Sequence, residues 1–422
     1  MSYNYTDIKL LILMNNTHPS RRYSNFVVWL MLAFPILINS VKIVSSLILL
    51  SLVTLGIYTV IKTKENPLAI SELKVFSYLT IGYFGIMLVS GLTADGFHYD
   101  FHHLGRKLQF LLAPLIALAV FRVDWSVKKL LLSFKIGLII IGAITMAQYH
   151  FQLGESWSRP AGMMNQNVFG DIATIMLFFS IIQVFKETPK ERVITLIGVV
   201  CGLVAIILSG SRGSWFSTLS LSVVWLILIY PQHLRHNTKL KLSILGLFTT
   251  MLLAISNTQI VQNKLSSATT GIQGWYAGEQ QLSSAGERLN MWATGLKAAK
   301  DSPWIGYGYR NANEAVQRYT QQDIGYTHLH NEYITNLVSA GVLGLFSLLA
   351  LLLVPLNIFY KKLRDEKVSD YALMGVLLCV GYATFGFTHI AFGEEHVNAF
   401  YVLFLGLLLP RVLKQNDKVV QT

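Results

Sequence analysis

Apolar segments of about twenty residues, nearly free of charge, recur along almost the whole of this 422-residue chain. A helix that crosses a bilayer needs roughly 20 mainly apolar residues. With no water in the hydrocarbon, its backbone N–H and C=O groups must pair within the segment. Twelve such segments are predicted, at 25–41, 43–61, 75–93, 108–121, 130–149, 164–184, 193–210, 213–230, 242–257, 334–359, 371–390 and 397–410. Soluble domains carry about 25% charged residues, whereas this chain has 13% charged, 53% hydrophobic residues and a mean hydropathy of +0.49. A water-soluble fold of this composition would expose large apolar patches; disorder, collagen-like repeats and a disulfide framework are excluded as well. The expected fold class is an all-α polytopic membrane protein with about 12 transmembrane helices. Cys201 and Cys379 both lie in apolar runs and carry no redox signal.

The distribution of charge predicts orientation. The net charge of +12 by itself would admit a nucleic-acid partner. However, the tails and the loops around 62–74, 122–129, 185–192, 231–241 and 360–370 hold 22 of the 34 Lys/Arg and 10 acidic residues. The short loops opposite hold Lys42, Arg106, Lys107, Arg159 and Arg212. This is the positive-inside asymmetry, and it predicts cytoplasmic amino and carboxyl termini and an attraction to anionic membrane lipids; no nucleic acid is needed to explain the charge. The stretch 8–14 is too short for a signal-peptide core, so the first span is expected to serve as the targeting signal.

Three units are expected: 1–257 with nine spans, 258–333 as a helical loop domain on the outer side, and 334–422 with three spans and a cytoplasmic tail. The long loop is balanced, with six basic and six acidic residues, and loops of that length are usually functional. Within it, Ser284-Ala285-Gly286-Glu287 has capping-box spacing. The helix it opens carries Leu289, Trp292, Leu296 and Ala299 at helical spacing and ends at Ser302-Pro303.

Several polar residues stand out against this background. Arg288 falls in the first turn of that helix, where free N–H groups and the dipole favour an anion and a guanidinium adds paired hydrogen bonds to phosphate; a surface arginine paired with Glu287 or Asp301 is the plainer alternative. Arg212 sits in Ser209-Gly210-Ser211-Arg212-Gly213-Ser214, on the side that loop arginines avoid; a tight turn with the side chain reaching headgroups would also account for it. Arg159 precedes Pro160-Ala161-Gly162 and the polar start of the sixth span, either lining the same cavity or standing as a plain loop residue. In Thr327-His328-Leu329-His330-Asn331-Glu332, an imidazole that titrates near neutrality suits a general base, and a helix-capping histidine is the alternative. The paired histidines lack the i, i+4 spacing of zinc hydrolases. His98, His102 and His103, and Glu394-Glu395-His396, are weaker metal candidates for which interfacial hydrogen bonding is the ordinary explanation. His389, at the outer edge of the eleventh span, is a further ionisable candidate, while Gly306-Tyr307-Gly308 lacks the strand and third glycine of a dinucleotide motif.

Arginines, a histidine and a large outer loop above an apolar body suit group transfer from a lipid-linked diphosphate, with cations taking up the leaving-group charge. At these residues the chain resembles the bacterial O-antigen ligases, within the wider ligase/polymerase superfamily. The resemblance rests on Ser211-Arg212-Gly213, on Ser283-Ser284-Ala285-Gly286-Glu287-Arg288-Leu289-Asn290-Met291, on His328-Leu329-His330-Asn331-Glu332, and on the spacing from His330-Asn331 through nine residues to Gly341 and then Gly344.

The resemblance implies a fold like the C-type membrane glycosyltransferases and transfer of O-antigen from undecaprenyl diphosphate to the lipid A-core, on the periplasmic face of a Gram-negative inner membrane. It implies no ATP, no metal and no other cofactor. It assigns diphosphate binding to Arg212 and Arg288, with Arg159 as a further candidate, and the base to His330. His328, Asn331 and His389 are secondary, and His389 stands where some relatives carry an aspartate. An O-antigen polymerase or a protein O-oligosaccharyltransferase would use the same donor. A transporter or flippase for the lipid-linked glycan would instead carry ionisable groups near mid-bilayer, and here Lys135 is the main one.

Overall fold

The computed structural model describes residues 19–93, 101–154, 158–229, 238, 259–279, 283–320 and 328–414. The expected ninth span, the stretch 8–14 and His98 lie outside the described residues, as do the side chains of His102 and His103. All regular structure among the described residues is helical. Eight helices cover the first half: α1 (Arg21–Leu37), α2 (Val44–Thr63), α3 (Ser71–Thr93), α4 (Phe101–Phe121), α5 (Val127–His150), α6 (Gln166–Ser180), α7 (Pro189–Leu208) and α8 (Arg212–Ile229). Then come α9 (Gln259–Ala277), α10 (Ser284–Asp301), α11 (Gly308–Gln317), α12 (Glu332–Lys362), α13 (Ser369–Phe385) and α14 (Glu395–Leu413), with a 3₁₀ turn at Ala391–Gly393.

The other eleven predicted spans coincide with α1–α8 and α12–α14, and eight of these helices are long and apolar enough to cross a membrane. The chain is an all-helical, polytopic membrane protein. Local chemistry sets its boundaries. Thr188 caps α7: its hydroxyl accepts from Glu191 N (3.4 Å), the Glu191 carboxylate accepts from Thr188 N (2.8 Å), and Pro189 opens the helix. The outward faces of α7 and α8 present Val193, Leu196, Ile197 and Val200, and Phe216, Leu219, Val223 and Ile227. Such surfaces are stable against lipid and not against water.

The last helix, predicted as a short span, is the centre of the bundle. In α14, 89% of the apolar window is buried, and it packs against α4, α13, α3 and α2. Phe400 and Phe404 cluster with Phe134 and Phe179 of α5 and α6 in tilted and edge-to-face pairs, with ring centroids 4.4–6.3 Å apart. The sixth span is shorter than predicted: α6 has 15 residues, and every one from Val168 to Ser180 is buried. With its body enclosed by protein, the helix needs no lipid-matched length. Similarly, α13 stops at Phe385 rather than 390, which frees 386–390 as a non-helical segment carrying His389.

Helices α9–α11 gather at one end of the bundle. Of these, α10 and α11 share a second small core with α12, in which Met291, Ala298, Ala299, Ala315 and Val316 meet Leu329 and Val338. The buried face of α10 differs from the predicted stripe. Leu296 is 48% exposed, whereas Gly295 and Ala298 are buried, because small residues let α10 approach Leu329, Ile334 and Val338 closely. One glycine makes the docking possible. At Gly341 (φ 65°, ψ −162°) α12 breaks, in a region of backbone space open essentially to glycine alone. A Cβ there would lie 2.3 Å from the Trp304 carbonyl. The break lets Val342 N donate to Pro303 O (2.7 Å) and Tyr307 N to Val338 O (3.0 Å), fastening the end of α10 to α12.

Candidate active site

Three helices begin at one place. The first turns of α6 (Asn167), α8 (Arg212, Gly213) and α10 (Ser284), with Arg288 one turn further along α10, line a single cavity of about 160 Å³, on the bundle face that carries α9–α11. Each helix start carries partial positive charge, and Arg159, Arg212 and Arg288 add three guanidinium groups to the same lining. The other walls are Gly210, Ser211, Asp171, Thr388 and His389. This concentration of donors and positive charge is the chemistry of an anion site.

Each arginine is positioned by its neighbours. Arg159 donates from Nε to Ser209 O (3.1 Å) and from Nη2 to Gly210 O (3.3 Å), closing the turn before α8. Burial and then Arg212 lower the pKa of Arg159. Arg212 is the first residue of α8 rather than a residue of the turn, and its Nη2 donates to Ser284 Oγ at 3.0 Å.

The predicted capping box at Ser284 and Glu287 is absent. The cap residue is Ser283, whose hydroxyl donates to Ser267 O (3.2 Å), and no side-chain cap bond closes the start of α10. Both serines are drawn away by tertiary partners. Glycines explain the close approach of the other walls: a Cβ on Gly213 would lie 2.2 Å from Thr388 Oγ1, and one on Gly170 2.5 Å from Ser214 Oγ.

His330 stands beside this cavity and is not among its lining residues. It precedes α12 in a left-handed conformation, φ 49°, uncommon for a non-glycine residue. Asn331 caps α12, accepting from Ile334 N (3.0 Å), and Glu332 N donates to Gly386 O (2.7 Å), so this segment is tied to the loop that carries His389. Trp292, one turn after Arg288, donates from Nε1 to Leu329 O (2.9 Å), between the two histidines. The rings of His328 and His330 are 4.4 Å apart.

All three imidazoles are held neutral. Burial, then His328, Arg288 and His389, lower His330 to about 3. Burial, then Arg288 and Arg106, lower His328 to about 4. Burial, then His328 and Arg288, lower His389 to about 3.

Two groups absent from the sequence-based candidates belong to this region. Asp171, in the second turn of α6, faces the cavity; its Oδ1 accepts from Ser214 Oγ (2.8 Å), and its Oδ2 is 3.8 Å from His389 Nδ1. Lys107, expected in an outer loop, is buried within α4. It donates to Tyr83 Oη (2.8 Å) and Phe392 O (3.1 Å), while Glu332 accepts from Phe392 N (3.0 Å) and Asn336 Nδ2 (2.6 Å). This network clamps the 3₁₀ turn against α12. Glu395 and His396 bond instead to Ser46 (2.5 Å) and Ser45 (2.6 Å) of α2. Lys135 is ion-paired with Glu187 in the interior at the opposite face.

Fold and site together define a polytopic helical membrane protein with a cationic cavity, walled by helix starts, beside a pair of neutral histidines. Residues 197–349 match the O-antigen ligase family, a segment that contains Arg212, Arg288, His330, Gly341 and Gly344 and excludes Arg159, Asp171 and His389. By that match this segment is similar to proteins of polysaccharide assembly of the ligase and polymerase type. It is 24% identical over 371 residues to an uncharacterized protein of Haemophilus influenzae, covering 84% of this chain and 90% of that one. It is also 24% identical over 288 residues to the exopolysaccharide production protein ExoQ of Rhizobium meliloti, covering 65% of this chain and 64% of the relative.

Proposed function

We propose that this protein is an O-antigen ligase, transferring polysaccharide from undecaprenyl diphosphate to a hydroxyl of the lipid A-core on the periplasmic face of a bacterial inner membrane. The observation that carries this reading is the convergence of Arg159, Arg212 and Arg288 with three helix starts on one cavity beside His330. The arginines and helix dipoles hold the diphosphate and take up its charge as it leaves, so no metal or nucleotide enters this reading. The acceptor hydroxyl attacks the anomeric carbon from the face opposite the diphosphate. The new C–O bond forms as the bond to phosphate oxygen breaks, the anomeric centre inverts, and the proton passes to His330. Residues 258–333 form the outer loop domain in this arrangement, between nine preceding and three following spans, with both termini cytoplasmic.

The basicity of His330 depends on the donor. In the free protein its pKa is about 3, held down by burial and neighbouring positive charge. A general base works best near the operating pH. A diphosphate bound at Arg288 offsets that arginine's share of the lowering and leaves the larger share from burial, so base strength increases once the donor is in place.

The match to an exopolysaccharide production protein favours keeping a second reading, in which the acceptor is another lipid-linked glycan and the enzyme is a polymerase. The test is transfer by purified protein from lipid-linked glycan to lipid A-core or to a second lipid-linked glycan, without nucleotide and with chelator present. Capped lipid A-core, lost in His330→Ala, supports the ligase; elongated lipid-linked glycan supports the polymerase. Movement of intact lipid-linked glycan across a bilayer without transfer would identify a flippase.

A further inference from the structure

At Gly341 the surroundings of α12 change. Beyond that break the helix runs without a charge from Val342 to Tyr360 and ends on Lys361 and Lys362. Val342 to Lys362 is 21 residues, about 31 Å at 1.5 Å per residue, against roughly 30 Å for a hydrocarbon core. Gly341 therefore falls at one membrane boundary and the two lysines at the other. Between them Val342, Leu343, Phe346, Leu353 and Val354 are exposed, as lipid-facing residues are. Tyr360, exposed beside the lysines, is the kind of amphipathic ring that gathers at such a boundary.

The turn Pro303-Trp304-Ile305, which follows α10, lies against the Gly341 boundary. Val342 N donates to Pro303 O at 2.7 Å, and the Trp304 carbonyl is so close to Gly341 that no Cβ fits there. The side chains of the turn are nevertheless open: Trp304 is 69% exposed and Ile305 39%. That much apolar surface is unfavourable in water. An indole suits a membrane boundary, with its ring among acyl chains and its N–H toward polar headgroups. We infer that Pro303-Trp304-Ile305 is a membrane anchor, inserted at the headgroup boundary of the leaflet on the α9–α11 side, with phospholipid as its partner. Continuity selects lipid over protein, because the turn bonds to Val342, where the lipid-facing surface of Val342, Leu343 and Phe346 begins. Helix α10 is then held at both ends, by Arg212 at Ser284 and by the membrane just past Asp301. The anchor does not depend on the reaction proposed above.

Tryptophan quenching of the full-length protein in nanodiscs tests this. The chain has eight tryptophans, so the signal of Trp304 is read as the difference between wild type and Trp304→Phe. The discs are made of phosphatidylcholine brominated just below the carbonyls, brominated near the methyl ends, or unbrominated with iodide added as the aqueous quencher. The fluorescence component lost in Trp304→Phe is expected to be quenched most by the shallow bromines, less by the deep ones and least by iodide. Quenching by iodide alone would put the indole in water. Resistance to all three quenchers would show that protein, a second copy of this chain included, covers the turn. Strongest quenching by the deep bromines would place the ring in mid-leaflet. Any of these three results overturns the anchor. Should Trp304→Phe not fold, Trp304→Tyr takes its place, with excitation at wavelengths that tyrosine does not absorb.

Discussion

Arg212 Nη2 donates a hydrogen bond to Ser284 Oγ at 3.0 Å, joining two residues 72 positions apart. The bond links the start of α8, in the membrane-spanning bundle, to the start of α10 in the cap that α9–α11 form at one end of it, one turn before Arg288. It uses one of the guanidinium's five donors, leaving the fork able to meet a phosphate. Arg212→Lys and Arg288→Lys keep the charge and lose the planar geometry. Each is expected to lower kcat/KM for the lipid-linked donor at least about tenfold, with normal protein levels. Ser284→Ala removes only the orienting bond and should cost no more than about threefold. Full activity in both lysine variants would reduce the site to simple charge steering.

Trp292 Nε1 binds Leu329 O at 2.9 Å, with a histidine on either side of that leucine. Trp292→Phe keeps the aromatic packing and removes the donor. A loss of about 1 kcal/mol in stability and a selective fall in kcat are expected, because His330 would lose its hold on position while the arginine-lined cavity stays built. Equal kcat in the phenylalanine variant would show that this tether does not orient the imidazole.

Gly341→Ala should be the most destructive single methyl addition where α12 meets the cap. The backbone there (φ 65°, ψ −162°) excludes a side chain, and the new carbon would meet Trp304 at 2.3 Å. Backbone strain of this kind costs about 1–3 kcal/mol before the clash is added. Lower thermal stability and loss of transfer are expected together, read by melting in detergent and by the transfer assay.

The histidines set a pH signature. His328, His330 and His389 have pKa values of about 4, 3 and 3 in the folded protein, against 6.5 when unfolded. The unfolded chain therefore takes up protons below pH 6.5 that the native state refuses, and stability falls as pH drops from about 6.5 toward 4–3, with no such loss above 6.5. His389→Leu should shallow that fall. Because kcat/KM reports the free enzyme, its acid limb from His330 should lie well below 6.5, whereas in kcat, with the diphosphate bound, it should move upward. An acid limb at 6.5 in kcat/KM would contradict the imidazole's observed surroundings.

The span pattern was legible because its cause is local: lipid demands a run of apolar residues, and runs are visible one residue after another. The asymmetry of Lys and Arg between alternate loops was visible for the same reason, and the spacing from His330 to Gly341 was visible as a motif. Its physical meaning was not, because Gly341 matters through Trp304, a residue of the cap. Lys107 read as a loop cation, and only its partners Tyr83 and Phe392 reveal a buried one. Ser284 and Glu287 had the spacing of a cap, but Arg212 engages Ser284 and the neighbouring Ser283 binds Ser267 instead.

By itself, then, the sequence determined the helical class, the membrane environment, most helix positions and the identity of the arginines and histidine worth testing, all consequences of neighbouring residues along one chain. Only the tertiary structure decided that Arg159, Arg212 and Arg288 share a cavity, that His330 stands beside it, and that Asp171 and His389 face each other across 3.8 Å. Those relations depend on glycines such as Gly213 and Gly341, which let distant backbones approach, and such approach is a property of packed helices in three dimensions.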